Sequence, residues 1–241
     1  MKYYSKILIL TLLSTLLVIS CKKKQTAKPA STQKIELTGD SSKTGTANRN
    51  PNIKLSIQQD SADITNIAII TTSLGKISVG LFGKDSPKTV KNFIGLAKKG
   101  YYNGILIHRV AKNFLIQTGD RNTISKLKKT DWGKGGQSFF GKPFEDELFP
   151  ETPSYKNGYF KGTLAMANRG QHTNTSQFFI CLDDAMELDK RWTIFGKVIE
   201  GMSVVEKINS VKIKPGPFEA NDGVPEEPIK INSIVIKKYN L

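Results

Sequence analysis

Ile107-His108-Arg109-Val110 runs on to Phe114-Leu115-Ile116-Gln117-Thr118-Gly119-Asp120, and this stretch decides the reading of the 241-residue chain. A second stretch lies further along: Met166-Ala167-Asn168, leading into Asn174-Thr175-Ser176-Gln177-Phe178-Phe179-Ile180. Each sets a few polar side chains among apolar residues that alternate as strands do. Polar groups interrupting strands otherwise able to bury themselves point to a site more than to a core. Singly, each polar residue has an ordinary explanation: Arg109 as a surface arginine, His108 as a satisfied core histidine, Asn168 and Gln177 as residues at strand ends.

Working outward, 64–72 and 76–82 read as two strands joined by Ser73-Leu74-Gly75, a hairpin signal. Ser86-Pro87 opens a helix, with Ser as N-cap and Pro at the first helical position. Val90, Phe93, Ile94 and Ala97 give that helix one apolar face, and Gly100 ends it. Short strands are expected at 105–110, 114–118, 162–167, 177–182, 192–198 and 229–236, and a second short helix over 201–210. The stretch 122–159, rich in Gly, Lys and Pro, reads as a long loop region. Periodicity alone does not choose between a barrel and a sandwich.

The front of the chain follows different rules. Lys2 and Lys6 flank an apolar run, 7–19, too short for a comfortable membrane span, which needs about 20 residues. A charged start, a short apolar stretch and a small residue before the cut describe a secretory signal, here 1–20. Val18-Ile19-Ser20-Cys21 resembles a bacterial lipobox, which implies lipidation at Cys21. From 22 to 62 Lys, Ser, Thr, Gln, Asn and Pro dominate, so 21–62 is expected to be a lipidated cysteine and a flexible tether. The remainder, 63–241, is long enough for one domain with its own core. The net charge of +15 divides as +2 on the signal and +5 on the tether, leaving +8 on that domain. Its lysines are scattered without aromatic interleaving, which argues against a nucleic-acid surface. Cys181 sits in the apolar run 178–182 and reads as a small buried hydrophobe.

Jointly, the motifs resemble those of the cyclophilins, the cyclosporin-binding family of peptidyl-prolyl isomerases. The resemblance runs from about residue 64 to residue 237. It is densest at His108-Arg109, Gln117-Thr118-Gly119-Asp120, Phe144-Glu145-Asp146-Glu147, 164–168, Thr173-Asn174, 176–180 and Phe195-Gly196-Lys197-Val198. It implies a mainly β fold, a closed eight-stranded antiparallel barrel capped by two helices. It also implies that Arg109 is the catalytic arginine. Phe114, Leu115, Phe179 and Leu188 would line a proline pocket, with Trp192 at the place of the family's pocket histidine. Gln117, Ala167, Asn168 and Gln177 would bind the peptide, with Gly133 on the loop beside it. No cofactor and no metal are implied. The expected partners are proline-containing segments of other proteins and, through the anchor, a membrane; the expected state is a monomer.

The sequence departs from the family at several places. Ile107 stands for the usual Phe, and Gln171-His172 for a common Pro-Asn. Glu187 replaces a tryptophan associated with cyclosporin affinity, so weak drug binding is expected. Gly133-Lys134-Gly135-Gly136 lacks P-loop spacing, two histidines and no clustered cysteines argue against structural zinc, and adjacent Glu145, Asp146 and Glu147 read as hydrogen-bonded structure. The expected protein is an exported, lipid-anchored isomerase of the cell envelope, on the outer membrane or the periplasmic face. The rival reading is a peptide-binding chaperone or scaffold on the same fold, with little turnover.

Overall fold

Strand β1 (Asn66–Thr72) and strand β2 (Gly75–Leu81) pair antiparallel with Thr72 opposite Gly75, which fixes a two-residue hairpin at the expected place. The Thr72 hydroxyl stitches the turn, donating to the Gly75 carbonyl at 2.8 Å and accepting from the Leu74 amide at 3.1 Å. Alternation sends Ala68, Ile70, Ile77, Val79 and Leu81 into the core. This computed structural model describes residues 64–185, 188–216 and 220–239, with the backbone alone at 126–128. The signal, Cys21 and the tether therefore lie outside the described residues, as does Glu187.

Helix α1 (Pro87–Lys98) starts at Ser86 as expected, but the serine does not cap it. The Ser86 hydroxyl turns back to the Phe82 carbonyl, and the first free helical amides are taken by a distant carboxylate. The Lys88 amide donates to Glu147 Oε1 at 3.0 Å and the Thr89 amide to Glu147 Oε2 at 2.8 Å. A buried negative charge at a helix N-terminus meets both the orphan donors and the helix dipole. The buried face carries Val90, Phe93, Leu96 and Ala97. Phe93 anchors an aromatic cluster, with ring centroids 5.3–5.5 Å from Tyr102, Phe178 and Phe195.

Eight further strands complete the sheet: β3 (Arg109–Ala111), β4 (Leu115–Thr118), β5 (Thr163–Met166), β6 (Phe178–Cys181), β7 (Ile194–Glu200), β8 (Ile213–Pro215), β9 (Asp222–Pro225) and β10 (Ile231–Lys238). The order is β10-β1-β2-β7-β5-β6-β4-β3-β9-β8, with every pairing antiparallel. The expectation of a closed eight-stranded barrel is corrected on both counts: among the described residues the sheet has ten strands and is not closed into a barrel. The residues expected to form a strand over 105–110 pair as strand only from Arg109. Upstream of it, Ile107 N donates to Ile229 O and Ile231 N to Ile105 O, but the Leu106 amide goes to the Thr123 hydroxyl at 2.9 Å. A few bonds and the isolated Leu106–Lys230 bridge span the seam in place of a strand ladder.

Two expected helices become three among the described residues. Helix α3 (Met202–Ser210) lies where expected, and α2 (Pro153–Asn157) falls inside the supposed loop. Two 3-10 turns, Arg121–Ile124 and Lys126–Asp131, occupy the same region.

The two faces of the central strands have different fates. Ile116, Leu164, Met166, Phe178 and Ile180 join α1 and α3 in the main core. Their neighbours Leu115, Ala165, Phe179 and Cys181 face the other way, into a second apolar cluster with Tyr159, Ala185 and Ile194. Cys181 is fully buried there, as its apolar surroundings in sequence suggested. Each large apolar side chain buried in these clusters contributes roughly 1.5–3 kcal/mol.

Candidate active site

Register builds the site. Arg109 on β3 pairs with Gln117 on β4, Gln117 with Phe179 on β6, and Phe179 with Ala165 on β5. Directly opposed residues share a face. Arg109, Gln117 and Phe179 thus stand in one row across three strands, on the side away from the main core.

Hydrogen bonds tie the polar end of this row. Arg109 Nη1 donates to Gln117 Oε1 at 3.2 Å, and Gln117 Nε2 donates to Gln177 Oε1 at 2.9 Å. Gln177 Nε2 then donates to the carbonyls of Gly133 at 3.0 Å and Gly135 at 2.5 Å. The Gly133–Gly135 loop is itself held from below: the Gly135 amide donates to the fully buried Asp120 at 3.0 Å. Gly119, at φ +96°, lets β4 approach β6 so closely that a Cβ would run into the Ser176 carbonyl. The Ser176 hydroxyl closes the contact by donating to Gly119 O at 2.7 Å.

The other side of Arg109 faces a partner that sequence reasoning missed. Asp222 on β9 accepts from Arg109 Nε at 3.0 and 2.9 Å and from Nη2 at 2.6 Å. The two residues lie 113 apart in sequence, and nothing local to Asp222 marks it.

The apolar end is a half-exposed patch. Phe114, Ala167, Leu188 and Trp192, all partly buried, pack on the cluster that contains Leu115, Phe179 and Tyr159. The Tyr159 ring centroid lies 6.4 Å from that of Phe179 and 6.2 Å from that of Trp192. The Tyr159 hydroxyl donates to the Trp192 carbonyl at 2.8 Å and accepts from its amide at 3.0 Å. Burial pushes the Tyr159 phenol up to about 12, so it stays protonated and keeps this double contact. Tyr159 was another residue that the sequence did not mark.

Asn168 stands apart from the polar chain. Its Nδ2 donates to Asp146 Oδ1 at 3.3 Å and to the Arg191 carbonyl at 3.2 Å. The adjoining Ala167 amide donates to Gln177 O at 2.9 Å, which connects the two through backbone. Asp146 and Glu147 are engaged in structure, as expected: Asp146 also accepts from Asn174 Nδ2 at 2.6 Å and from the His172 amide at 2.8 Å. His108 is 5% exposed, and neither ring nitrogen has a hydrogen-bond partner among the described residues. Burial, outweighing the opposing charge of Asp120, lowers it to about 4, so it is neutral and suited to packing.

An apolar patch beside a fixed edge of amide and guanidinium donors suits an apolar ring joined to a peptide bond. Donors placed where charge or lone-pair density shifts act by stabilising the altered state.

Known proteins resemble this chain in sequence and fold. The family model for cyclophilin type peptidyl-prolyl cis-trans isomerases matches residues 67–236. Peptidyl-prolyl cis-trans isomerase-like 1 of Mus musculus is 45% identical over 143 residues, covering 59% of this chain and 79% of that protein. The peptidylprolyl isomerase domain and WD repeat-containing protein 1 of the same species is 42% identical over 174 residues, 72% of this chain. The chain spans only 24% of the length of that larger relative. A crystal structure of a Cryptosporidium parvum cyclophilin type isomerase superposes with a TM-score of 0.61 at 33% identity, covering 73% of this chain and 99% of that one. A second structure of that protein, described as in the presence of the dipeptide Ala-Pro, gives a TM-score of 0.60 at 33% identity, over 72% of this chain and 99% of that one.

Proposed function

The chain belongs to the cyclophilin-type peptidyl-prolyl cis-trans isomerase family, and from that premise we propose that it accelerates X–Pro bond rotation in exported or envelope proteins. The single observation that carries the proposal is the row Arg109–Gln117–Phe179, which sets a guanidinium beside an apolar patch. The dipeptide named with the parasite structure supports a proline-containing ligand. Rotation about an amide meets a barrier of about 18–20 kcal/mol. No covalent bond is broken, so the protein's task is to favour the twisted state over the planar one. Phe114, Leu115, Phe179, Leu188 and Trp192 hold the prolyl ring. Gln117, Gln177, Ala167, Asn168 and the Gly133 loop fix the flanking backbone. Arg109 donates to the prolyl nitrogen or to a carbonyl oxygen as the amide loses its resonance. A five-decade acceleration requires roughly 7 kcal/mol of such preference.

The cellular setting is part of the same proposal. Residues 1–20 direct export, Cys21 carries the lipid, 22–62 tether the domain, and 63–241 perform the chemistry, at the outer membrane or the periplasmic face. The support is the apolar run 7–19 ending at Ser20-Cys21, and the polar composition that follows. Weak cyclosporin binding follows from Glu187.

The test is the isomerase assay on 63–241, with and without Arg109→Ala. Faster cis-to-trans conversion of an X–Pro peptide, lost in the variant with the fold intact, is expected; conversion no faster than buffer would end the enzyme reading. One observation favours a second reading, a peptide-binding chaperone: Trp192 packs on Phe179 where the family places a histidine. Peptide affinity without turnover would select it.

A further inference from the structure

We infer that Asp222 is a positioning residue for the isomerisation, fixing the orientation in which Arg109 meets the twisting amide; this rests on the isomerase reading above. The pair is half-buried, with the two side chains 40% and 22% accessible, so part of the guanidinium faces solvent where a substrate can reach it. Its geometry is the informative part. Asp222 grips the guanidinium side-on, through Nε and Nη2 together, while Gln117 takes one hydrogen of Nη1. A guanidinium carries five N–H bonds. Three are thus committed to the protein, leaving one on each terminal nitrogen for a substrate. A planar group held at two edges cannot swing about its long stem, so the remaining hydrogens keep one direction.

The carboxylate has a rigid root. Asp222 pairs with Ala111 on β3, two residues along the strand from Arg109, and its carbonyl accepts from Gly216 N at 2.7 Å. The preceding carbonyl, of Asn221, accepts from Lys112 N at 2.8 Å. Gly223, next in sequence, lies so close to the Lys214 backbone that a Cβ could not fit. Backbone on both sides, from β3 and from β8, therefore sets where the carboxylate stands, and the carboxylate sets where the guanidinium points. Misplacing a reacting group by about an ångström costs catalysis far more than it costs binding.

The experiment measures kcat, peptide affinity and melting temperature for wild type, Asp222→Ala and Asp222→Asn in the full chain. The alanine variant is expected to lose roughly ten- to a hundredfold in kcat. Its peptide affinity should stay within about twofold of wild type, because the apolar patch is untouched. Asparagine, which keeps an acceptor oxygen in place, is expected to recover kcat to within about threefold. The wild-type kcat in Asp222→Ala would overturn the inference and leave the isomerase reading standing. So would losses of kcat, affinity and melting temperature in step without rescue by asparagine, the mark of a structural role. A wild-type protein without turnover would overturn both.

Discussion

The indole of Trp192 stands edge-on to the ring of Phe179, with 6.2 Å between centroids and 86° between planes. Edge-to-face pairs of this kind favour a fixed mutual orientation. The tryptophan thus packs on Phe179 at the half-exposed edge of the apolar patch, and its main chain is pinned by Tyr159. Trp192→Ala should weaken peptide binding about tenfold and leave kcat within about twofold, because ring contacts serve planar and twisted states alike. Steady-state kinetics with a proline peptide will check this; a fall in kcat at unchanged KM would contradict it.

Glu147 links the loop before α2 to the start of α1. Glu147→Ala should cost about 2 kcal/mol of folding stability, by leaving the amides of Lys88 and Thr89 without an acceptor. Urea denaturation reads this directly. The folded fraction of the variant should isomerise peptide at the wild-type rate.

His108 makes stability depend on pH. Its folded value of about 4 lies below the ordinary 6.5, so folding favours the neutral ring. A depressed base contributes its full stability above the unfolded value and loses it as pH falls from about 6.5 to about 4. The loss amounts to about 3 kcal/mol at the acid end. Denaturation curves across that range should show it, and His108→Phe should flatten this part of the profile. A wild type equally stable at both ends would refute the assignment.

Cys181 should be chemically silent in the folded protein. Burial, aided by the charge of Asp184, pushes its thiol up to about 12, and the thiolate is the reactive form. In a Cys21→Ser background it is the one remaining thiol. Ellman's reagent at pH 8 should label it on unfolding and not before. Rapid labelling of the native protein would contradict this.

The β1–β2 hairpin was legible because period-two alternation and Gly75 agree, and α1 because Ser86-Pro87 precedes a helical stripe. The polar chain from Arg109 to Gln177 was legible through family resemblance, not through any local rule. The open sheet was not legible, because Ile105, Leu106 and Ile107 read as strand yet divide their bonds between residues 229–231 and Thr123. Strands β8 and β9, three and four residues long and carrying Pro215, Gly223 and Pro225, are too short and too interrupted for periodicity to reveal. Asp222 acquires its meaning only when β9 lands against β3.

Gly119 carries a consequence for inheritance. Two unrelated demands meet there, a left-handed backbone and clearance from the Ser176 carbonyl. The left-handed backbone alone would leave asparagine some room; the contact with the Ser176 carbonyl leaves none for any Cβ, so the alphabet here has one letter. A single codon change would wedge β4 from β6 and part Gln117 from Gln177, although neither glutamine had mutated. In a saturation library this silent-looking loop position should be as intolerant as Arg109 itself.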